Sequence, residues 1–268
     1  MLEIIAVVKQ IDSMKKTKRT IRRVLLVPGI IAILVLLCAV YALFIEPTWL
    51  CVRQVKLSSV PTVRVIHISD IHFAGDSRYL EQMVASINGI TADFVCFTGD
   101  LVEDAAFLDD ALRILGKINK PIYGVSGNHD RWALRSFGSI SDVFRQTGGE
   151  WLERKSAMVA SNRVAVITIA SCQEQTPPDF KRILLEHYPG DIAGLSGVTF
   201  DLILAGHTHG RQVRIPLIGE YLVPFNIGKY DRGLFRTASG PMYVNPGIGT
   251  FYMQARFLCR PEITVIEI

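Results

Sequence analysis

The 268-residue chain has few cysteines, few histidines and, outside its first residues, no excess of positive charge. Its five cysteines are far apart and form no C-x-x-C pair, so neither a disulfide framework nor a zinc knuckle is expected. Residues 1–23 carry seven of the 29 Lys and Arg and two of the 25 Asp and Glu, leaving 22 basic against 23 acidic residues beyond them. Nucleic acids bind to basic faces, so we predict no nucleic-acid partner.

Charge is entirely missing from residues 24–45, a run of 22 residues. A helix of this length spans the roughly 30 Å hydrocarbon core of a bilayer. A cleaved signal peptide is the alternative, but its apolar region is usually about 7 to 15 residues long and ends at a small-residue cleavage site. The sequence therefore predicts a basic arm over residues 1–23 and one uncleaved transmembrane helix over residues 24–45, which makes the chain a single-pass cell (inner) membrane protein.

The same segment sets an expectation for orientation. The basic arm places the N-terminus in the cytoplasm by the positive-inside rule, and hence the rest of the chain on the outer side. Unpaired cysteines after the helix favour the opposite, reducing side. We expect a linker over residues 46–61 and a catalytic domain over residues 62–268, with a slight preference for the non-cytoplasmic orientation.

Within this domain, apolar strands first alternate with helical stretches of ten to fifteen residues and then follow one another with little helix between them. The first pattern is typical of βαβ units, and the second indicates a sheet with antiparallel pairs, so an α/β fold is expected. The early strands end in short clusters of Asp, His, Asn and Gly. Ligands of α/β sheets bind beyond the carboxyl ends of the strands, so these clusters are expected to meet.

Five of the six histidines lie in such strand-end clusters, within the strings SDIH, GNHD, LLEH and GHTHG. They are His72, His129, His187, His207 and His209, and the clusters also carry Asp70, Asp100 and Asn128. Imidazole with carboxylate favours manganese, iron, zinc or nickel, whereas magnesium prefers oxygen ligands and structural zinc prefers thiolates. The sixth histidine, His67, lies inside a strand and is expected in the core or behind the ligands.

Together, the blocks D-I-H, G-D, G-N-H-D and G-H-T-H resemble those of the calcineurin-like metallophosphoesterases. Within that family the chain is similar to the membrane-associated bacterial branch of phosphodiesterases and UDP-2,3-diacylglucosamine pyrophosphatases. The resemblance implies a four-layer α/β/β/α sandwich of two mixed sheets and two divalent metal ions, with manganese expected. By motif position, one ion would be held by Asp70, His72, Asp100 and His209, and the other by Asp100, Asn128, His187 and His207.

The chemistry suits these residue types. A carboxylate with two oxygens, such as Asp100, would bridge two cations about 3.5 to 4 Å apart, and such cations would supply a hydroxide for in-line attack on phosphorus. His129 has no ligand role in the family pattern, so with Asn128 it is expected at the substrate, protonating the leaving oxygen or stabilising the transition state. Asp130 would orient His129 or cap the following helix. Arg211 replaces a common family glycine and is expected either to clamp phosphate or to face solvent.

The substrate is expected to be a small molecule or lipid that carries phosphate. An apolar segment after GHTHG, with Leu217, Ile218, Tyr221, Leu222, Val223 and Phe225, forms either a packed hairpin or a rim for acyl chains. With the membrane helix and the resemblance, it favours a lipid-linked phosphodiester or pyrophosphate such as UDP-2,3-diacylglucosamine. A phosphodiesterase or phosphoprotein phosphatase acting on soluble substrates is the alternative, and a non-catalytic metal-binding module is the least favoured. The sequence sets no oligomeric state.

Overall fold

The computed structural model describes residues 1–195, 197–216 and 228–268, and it describes the backbone alone for residues 2–8, 11 and 18–25. The chain begins with helix α1 (Leu2–Val40), which continues through a π-helical turn (Tyr41–Ile45) into a 3-10 turn (Glu46–Thr48). The stretch Leu26–Thr48 is long and apolar enough to cross a membrane, and residues 26–40 are exposed.

The rest of the described chain folds into twelve strands and four further α-helices. The strands are β1 (Cys51–Lys56), β2 (Arg64–Ile68), β3 (Phe94–Phe97), β4 (Ile122–Gly124), β5 (Glu150–Trp151), β6 (Ala157–Val159), β7 (Val164–Thr168), β8 (Lys181–Leu185), β9 (Leu202–Ala205), β10 (Gly233–Thr237), β11 (Gly240–Val244) and β12 (Glu262–Glu267). The helices are α2 (Ser77–Gly89), α3 (Leu108–Leu115), α4 (Asn128–Ala133) and α5 (Gly138–Gln146).

These strands form two six-stranded sheets. The first has the order β1-β12-β2-β3-β4-β5, and the second β10-β11-β9-β8-β7-β6. Both are mixed: β12 runs antiparallel to β2 in the first, and β6 to β7 and β10 to β11 in the second, while the remaining neighbours are parallel. The predicted fold class is confirmed.

Residues 46–61, expected as a linker, instead contain β1, which pairs over its whole length with β12. Half of the strand sequence CVRQVK is polar and most of it is exposed, which fits the position of β1 at the edge of the sheet, where charge is tolerated. A polar edge strand resembles a linker in sequence. The catalytic domain therefore begins before residue 62.

Three apolar layers hold the domain together. Helices α2, α3 and α5 cover the outer face of the first sheet, and on α2 the buried residues Leu80, Met83, Val84 and Ile87 follow the spacing of one helix face. A second layer, which includes Cys96, fills the space between the sheets. A third apolar layer lies on the outer face of the second sheet. In the described part of the chain this face is covered by loops and short 3-10 turns such as Asp191–Gly194, so the outer layer of the sandwich is thin on this side.

Candidate metal centre

The seven expected ligands lie on loops that leave the two sheets at one edge. Asp70 and His72 follow β2, Asp100 follows β3, and Asn128 begins α4 after β4. From the second sheet, His187 follows β8, and the G-H-T-H-G loop with His207 and His209 follows β9. All are buried except the half-buried His207. The structure thus brings the sequence-predicted set together from five strands.

The first ligand cluster consists of Asp70, His72 and His209. The Nε2 atoms of His72 and His209 are 3.0 Å apart, and Asp70 Oδ1 lies 4.0 Å from the former and 3.5 Å from the latter. The Asp70 carboxylate also accepts hydrogen bonds from the backbone N–H of His207 at 3.0 Å. Asp70 therefore joins a loop of the first sheet to a loop of the second.

The second ligand cluster consists of Asp100, His187 and His207, with Asn128 beside them. His187 Nε2 lies 3.2 Å from Asp100 Oδ2 and 3.1 Å from Asn128 Oδ1. Asp100 Oδ2 is also 3.6 Å from His72 Nε2, an atom of the first ligand cluster. One carboxylate oxygen thus stands between the two clusters.

The spacing of these donors fits bound cations. Metal–ligand bonds of about 2.0–2.2 Å place neighbouring donor atoms roughly 3.0–3.5 Å apart. The separations of 3.0 and 3.5 Å in the first ligand cluster and 3.2 Å in the second match that spacing. Two buried imidazole nitrogens that face each other beside a buried carboxylate are a poor arrangement without a cation to share.

One backbone contact and one side-chain contact aim two of the imidazoles at the clusters. His187 Nδ1 lies 2.7 Å from the carbonyl oxygen of Thr98, and His72 Nδ1 lies 2.8 Å from Glu103 Oε1. A partner at one ring nitrogen fixes the orientation of the other, which here is Nε2 of each histidine. Neither partner could be found from the sequence, since a carbonyl oxygen carries no residue identity and Glu103 stands outside every motif.

The ligand loops adopt unusual backbone conformations. Asp70, His72, Asp100, His207 and His209 all have positive φ, between 43° and 67°. Such conformations are costly for residues with a Cβ, and they cluster at functional sites where the surroundings hold them. Gly127 allows the Asp100 carboxylate to lie close to the backbone, since a Cβ at residue 127 would collide with that carboxylate.

Electrostatics favour the neutral form of two ligands. Burial lowers the pKa of His207 to about 4 and holds that of His209 well below its usual value, so both rings are neutral at pH 7 and can bind a cation. Burial would lower the pKa of His187 and raise that of Asp100, but their mutual attraction outweighs burial. The pKa of His187 rises to about 9, and that of Asp100 falls. Asp100 therefore carries a negative charge at the junction of the clusters.

His129 lies at the mouth of the site. Its backbone N–H donates to Asp100 Oδ1 at 2.8 Å, and its ring centroid is 4.7 Å from those of Trp132 and Phe251. The Phe251 ring also lies near the rings of His72 and His209. Trp132 lies three residues after His129 on α4, whereas Phe251 is distant in sequence and becomes adjacent only through the fold.

Asp130 has a different role from the expected pairing with His129. Its carboxylate accepts hydrogen bonds from the backbone N–H groups of Asp100 at 2.8 Å, Leu101 at 2.8 Å and Gly127 at 3.0 Å. Asp130 does cap a helix, as the alternative expectation had it, but the helix is α4, which contains Asp130 and has Gly127 as its N-cap. The acid nearest the His129 ring is Glu103, with Oε1 at 3.8 Å from Nδ1.

Arg211 has a φ of 60°, the conformation expected for the glycine that it replaces, and its Nη2 donates to the carbonyl oxygen of Gly228 at 3.2 Å. Its contact with phosphate stays a prediction. The apolar segment expected at the rim lies outside the described residues, with Leu217, Ile218, Tyr221, Leu222, Val223 and Phe225.

Residues 63–211 match the family model of the calcineurin-like phosphoesterases, and the chain belongs to this family. It is 27% identical over 256 residues to the uncharacterized metallophosphoesterase YkuE of Bacillus subtilis, covering 85% of this chain and 88% of YkuE. It is 26% identical over 254 residues to the phosphodiesterase YaeI of Escherichia coli, covering 85% of this chain and 92% of YaeI.

A further relative is the UDP-2,3-diacylglucosamine pyrophosphatase LpxG of Chlamydia trachomatis, 23% identical over 304 residues, with 85% of this chain and 92% of LpxG covered. The protein is a metal-dependent phosphoester hydrolase, and the predicted family and enzyme class are confirmed. The family uses divalent metals, and the clustered Asp and His side chains suit them.

Proposed function

We propose that the two ligand clusters hold two divalent cations with Asp100 between them, and that the protein hydrolyses a phosphodiester or pyrophosphate bond. The first cation would bind Asp70, His72, Asp100 and His209, and the second Asp100, Asn128, His187 and His207. The observation that carries the proposal is the position of Asp100 Oδ2, 3.6 Å from His72 Nε2 and 3.2 Å from His187 Nε2. The imidazole and carboxylate donors suit manganese.

When bound, the cations supply Lewis-acid stabilisation of the phosphoryl group and lower the pKa of water. The chain's own residues supply the rest. His129 is held at the mouth by its N–H bond to Asp100 Oδ1, where its ring can give a proton to the leaving oxygen. Asn128 and His129, adjacent at the start of α4, would position the substrate phosphate, with Arg211 as a further phosphate contact.

We further propose that the apolar helix anchors the protein in the cell membrane as a single span and that the substrate is a lipid-linked phosphate. Two observations support this. The helix is long and apolar enough to span a bilayer, and its end is joined to the domain by a hydrogen bond from Arg256 N–H to Ala42 O at 2.9 Å. The likeness to LpxG favours a lipid pyrophosphate such as UDP-2,3-diacylglucosamine.

Orientation selects among lipid substrates. The charge pattern favours a domain on the outer side of the membrane, where nucleotide-linked lipids are not made, and hence an exported phospholipid or phosphodiester. A domain on the cytoplasmic side retains UDP-2,3-diacylglucosamine as the substrate. The likeness to the phosphodiesterase YaeI supports diester hydrolysis in either orientation.

The test is turnover by the purified full-length chain, loaded with manganese, of bis(p-nitrophenyl) phosphate, p-nitrophenyl phosphate and detergent-solubilised lipid phosphates. Asp100→Asn should abolish turnover and lower the metal content, because an amide cannot provide an anionic bridge with two oxygens. Asp110→Asn, an exposed carboxylate on α3, is the matched control and should leave both unchanged. An Asp100→Asn protein that keeps two metals and normal turnover would refute the assignment.

A further inference from the structure

A cavity lies where the apolar helix meets the catalytic domain. Its volume is about 510 Å³, and it is lined by Tyr41 and Glu46 from the helix side and by Arg53, Arg232 and Arg260 from the domain side. Its described lining includes none of the candidate metal ligands. The cavity is therefore a separate site, and its most prominent feature is three guanidinium groups.

Two of the arginines are held in place by backbone carbonyl groups. Arg260 lies over the Trp49 ring, with its guanidinium carbon 4.1 Å from the ring centroid, and its Nε and Nη2 donate to Trp49 O at 2.9 Å and Leu50 O at 3.1 Å. Arg232 Nη1 donates to Leu258 O at 3.0 Å. These contacts orient the side chains and use only part of the five N–H donors of each guanidinium.

The carboxylates in the same cavity are already engaged. Glu46 is fully buried and accepts hydrogen bonds from the backbone N–H groups of residues 258–259. Glu262 accepts from Arg53 Nε at 2.8 Å and from the hydroxyl of Tyr243. The cavity lining thus carries three guanidinium groups and two carboxylates, which gives it a net positive charge. The carboxylates already accept other hydrogen bonds, so some guanidinium N–H donors are left for a ligand.

An anion with several oxygens satisfies such a cavity best. Guanidinium groups bind phosphate through paired N–H donors, and these bonds are stronger than those between neutral groups. Preoriented side chains also lose less conformational entropy when the anion binds. The chemistry of the lining thus indicates a phosphate group.

The position of the cavity indicates where this phosphate comes from. Tyr41, one of its lining residues, belongs to the apolar stretch Leu26–Thr48, and Trp49 follows that stretch directly. Tyr and Trp are enriched at the headgroup level of membranes. The apolar side chain of Leu258, which also lines the cavity, is 49% exposed. We propose that this cavity binds the phosphate headgroup of an anionic phospholipid, which rests on the membrane anchoring proposed above.

A bound headgroup would have a structural consequence for the metal centre. The segment from residue 251 to residue 260 connects the two sites, with Phe251 against the ligand histidines and Arg260 in the cavity. The headgroup would therefore hold the mouth of the metal centre at a defined position relative to the bilayer. Binding of the headgroup would not involve the candidate metal ligands, and neither would the choice between headgroups.

The experiment uses the full-length chain in nonionic detergent, with calorimetric titration of dihexanoyl phosphatidate, dihexanoyl phosphatidylcholine and inorganic phosphate, each below its micelle concentration where one exists. We expect phosphatidate to bind tightest and Arg232→Gln to weaken it about tenfold, the loss of one charged hydrogen bond. Arg232→Gln leaves the Arg260–Trp49 contact in place. The exposed Arg113→Gln is the control, and both variants should keep the turnover of bis(p-nitrophenyl) phosphate.

Three results would overturn the proposal. Equal phosphatidate affinity of the native chain and Arg232→Gln places the ligand elsewhere. Equal affinity for inorganic phosphate and phosphatidate makes the cavity a site for free phosphate. Release of the native chain from cell membranes by alkaline carbonate refutes the anchoring, and this result is independent of turnover, so it is distinguishable from failure of the hydrolase assignment.

Discussion

The carboxylate of Asp130 is hydrogen-bonded to the backbone of Asp100, and this contact joins two of the loops that carry candidate ligands. One Asp130 oxygen accepts from the N–H groups of both Asp100, at 2.8 Å, and Gly127, at 3.0 Å. Burial raises the pKa of Asp130, and the three backbone bonds partly offset that effect. Asp130 therefore acts on the metal centre through loop geometry.

Asp130→Asn should lower metal affinity about 10- to 100-fold, the usual cost of losing support behind a ligand, and lower the free energy of unfolding by about 1–3 kcal/mol. The reason is that an amide keeps one acceptor oxygen and brings an NH₂ group against backbone N–H. Metal titration and urea unfolding measure the two effects. A variant with both metals, reduced rate and a shifted pH profile would instead show that Asp130 acts through His129.

His129→Ala should keep both metals and reduce the turnover number by about 10²- to 10⁴-fold, the range for a general acid. The His129 ring stands beside His72 and Asp100 but belongs to neither proposed ligand set, and its backbone bond to Asp100 does not need the ring, so we expect the ligand clusters to survive the change. Turnover with metal analysis of the same sample checks this. An equal loss of metal would make His129 a ligand.

His67 makes stability depend on pH. Burial lowers its pKa to about 3, whereas the unfolded chain protonates near 6.5, so the unfolded state binds more protons between these values. The free energy of unfolding should therefore fall as pH drops from about 6.5 toward 3, by about 2 kcal/mol at pH 5 from this residue alone.

His67→Gln removes the titrating ring and keeps a polar group toward Thr98 Oγ1, which lies 2.9 Å from His67 Nε2. The difference in unfolding free energy between the native chain and the variant should shift in favour of the variant between pH 7 and pH 5. Urea unfolding at both pH values measures it. A difference independent of pH would place the His67 ring in contact with solvent or an acid.

A C-terminal alkaline phosphatase fusion should be active and a C-terminal green fluorescent protein fusion dark when the fused protein is exported through the general secretory route. This result follows from the basic arm before the helix. Membrane fractionation of both fusions checks that they are inserted. A fluorescent, phosphatase-inactive pair places the domain in the cytoplasm and restores the nucleotide-linked lipid as the favoured substrate.

The sequence predicts which side chains come together, because each motif places Asp, Asn or His at the end of a strand. His187 shows how far this extends, since its string LLEH is unremarkable alone and is meaningful only beside GNHD and GHTHG. Glu103 and Phe251 could not be predicted, because their contacts with His72 are made by tertiary packing and carry no pattern along the chain.

Two predictions were wrong for different physical reasons: the linker in place of β1, and the pairing of Asp130 with His129. β1 lies at a sheet edge and carries three polar residues among six, and such a mixed segment between prolines looks like a connection. For Asp130, proximity in sequence to His129 suggested a pair, but α4 directs the Asp130 carboxylate toward the backbone of its own N-cap and of the loop after β3. Local adjacency on a helix does not place two side chains on the same face.

The pairing of β1 with β12 also sets where a soluble fragment of this protein can be cut. A fragment that starts at residue 62 exposes the β12 edge over six residues, Glu262 to Glu267, and removes Arg53 from the nearly buried Glu262 carboxylate. An open edge invites association between copies, and a buried carboxylate without its cation destabilises the fold. Cutting between Trp49 and Cys51 removes the apolar helix and keeps β1 paired with β12.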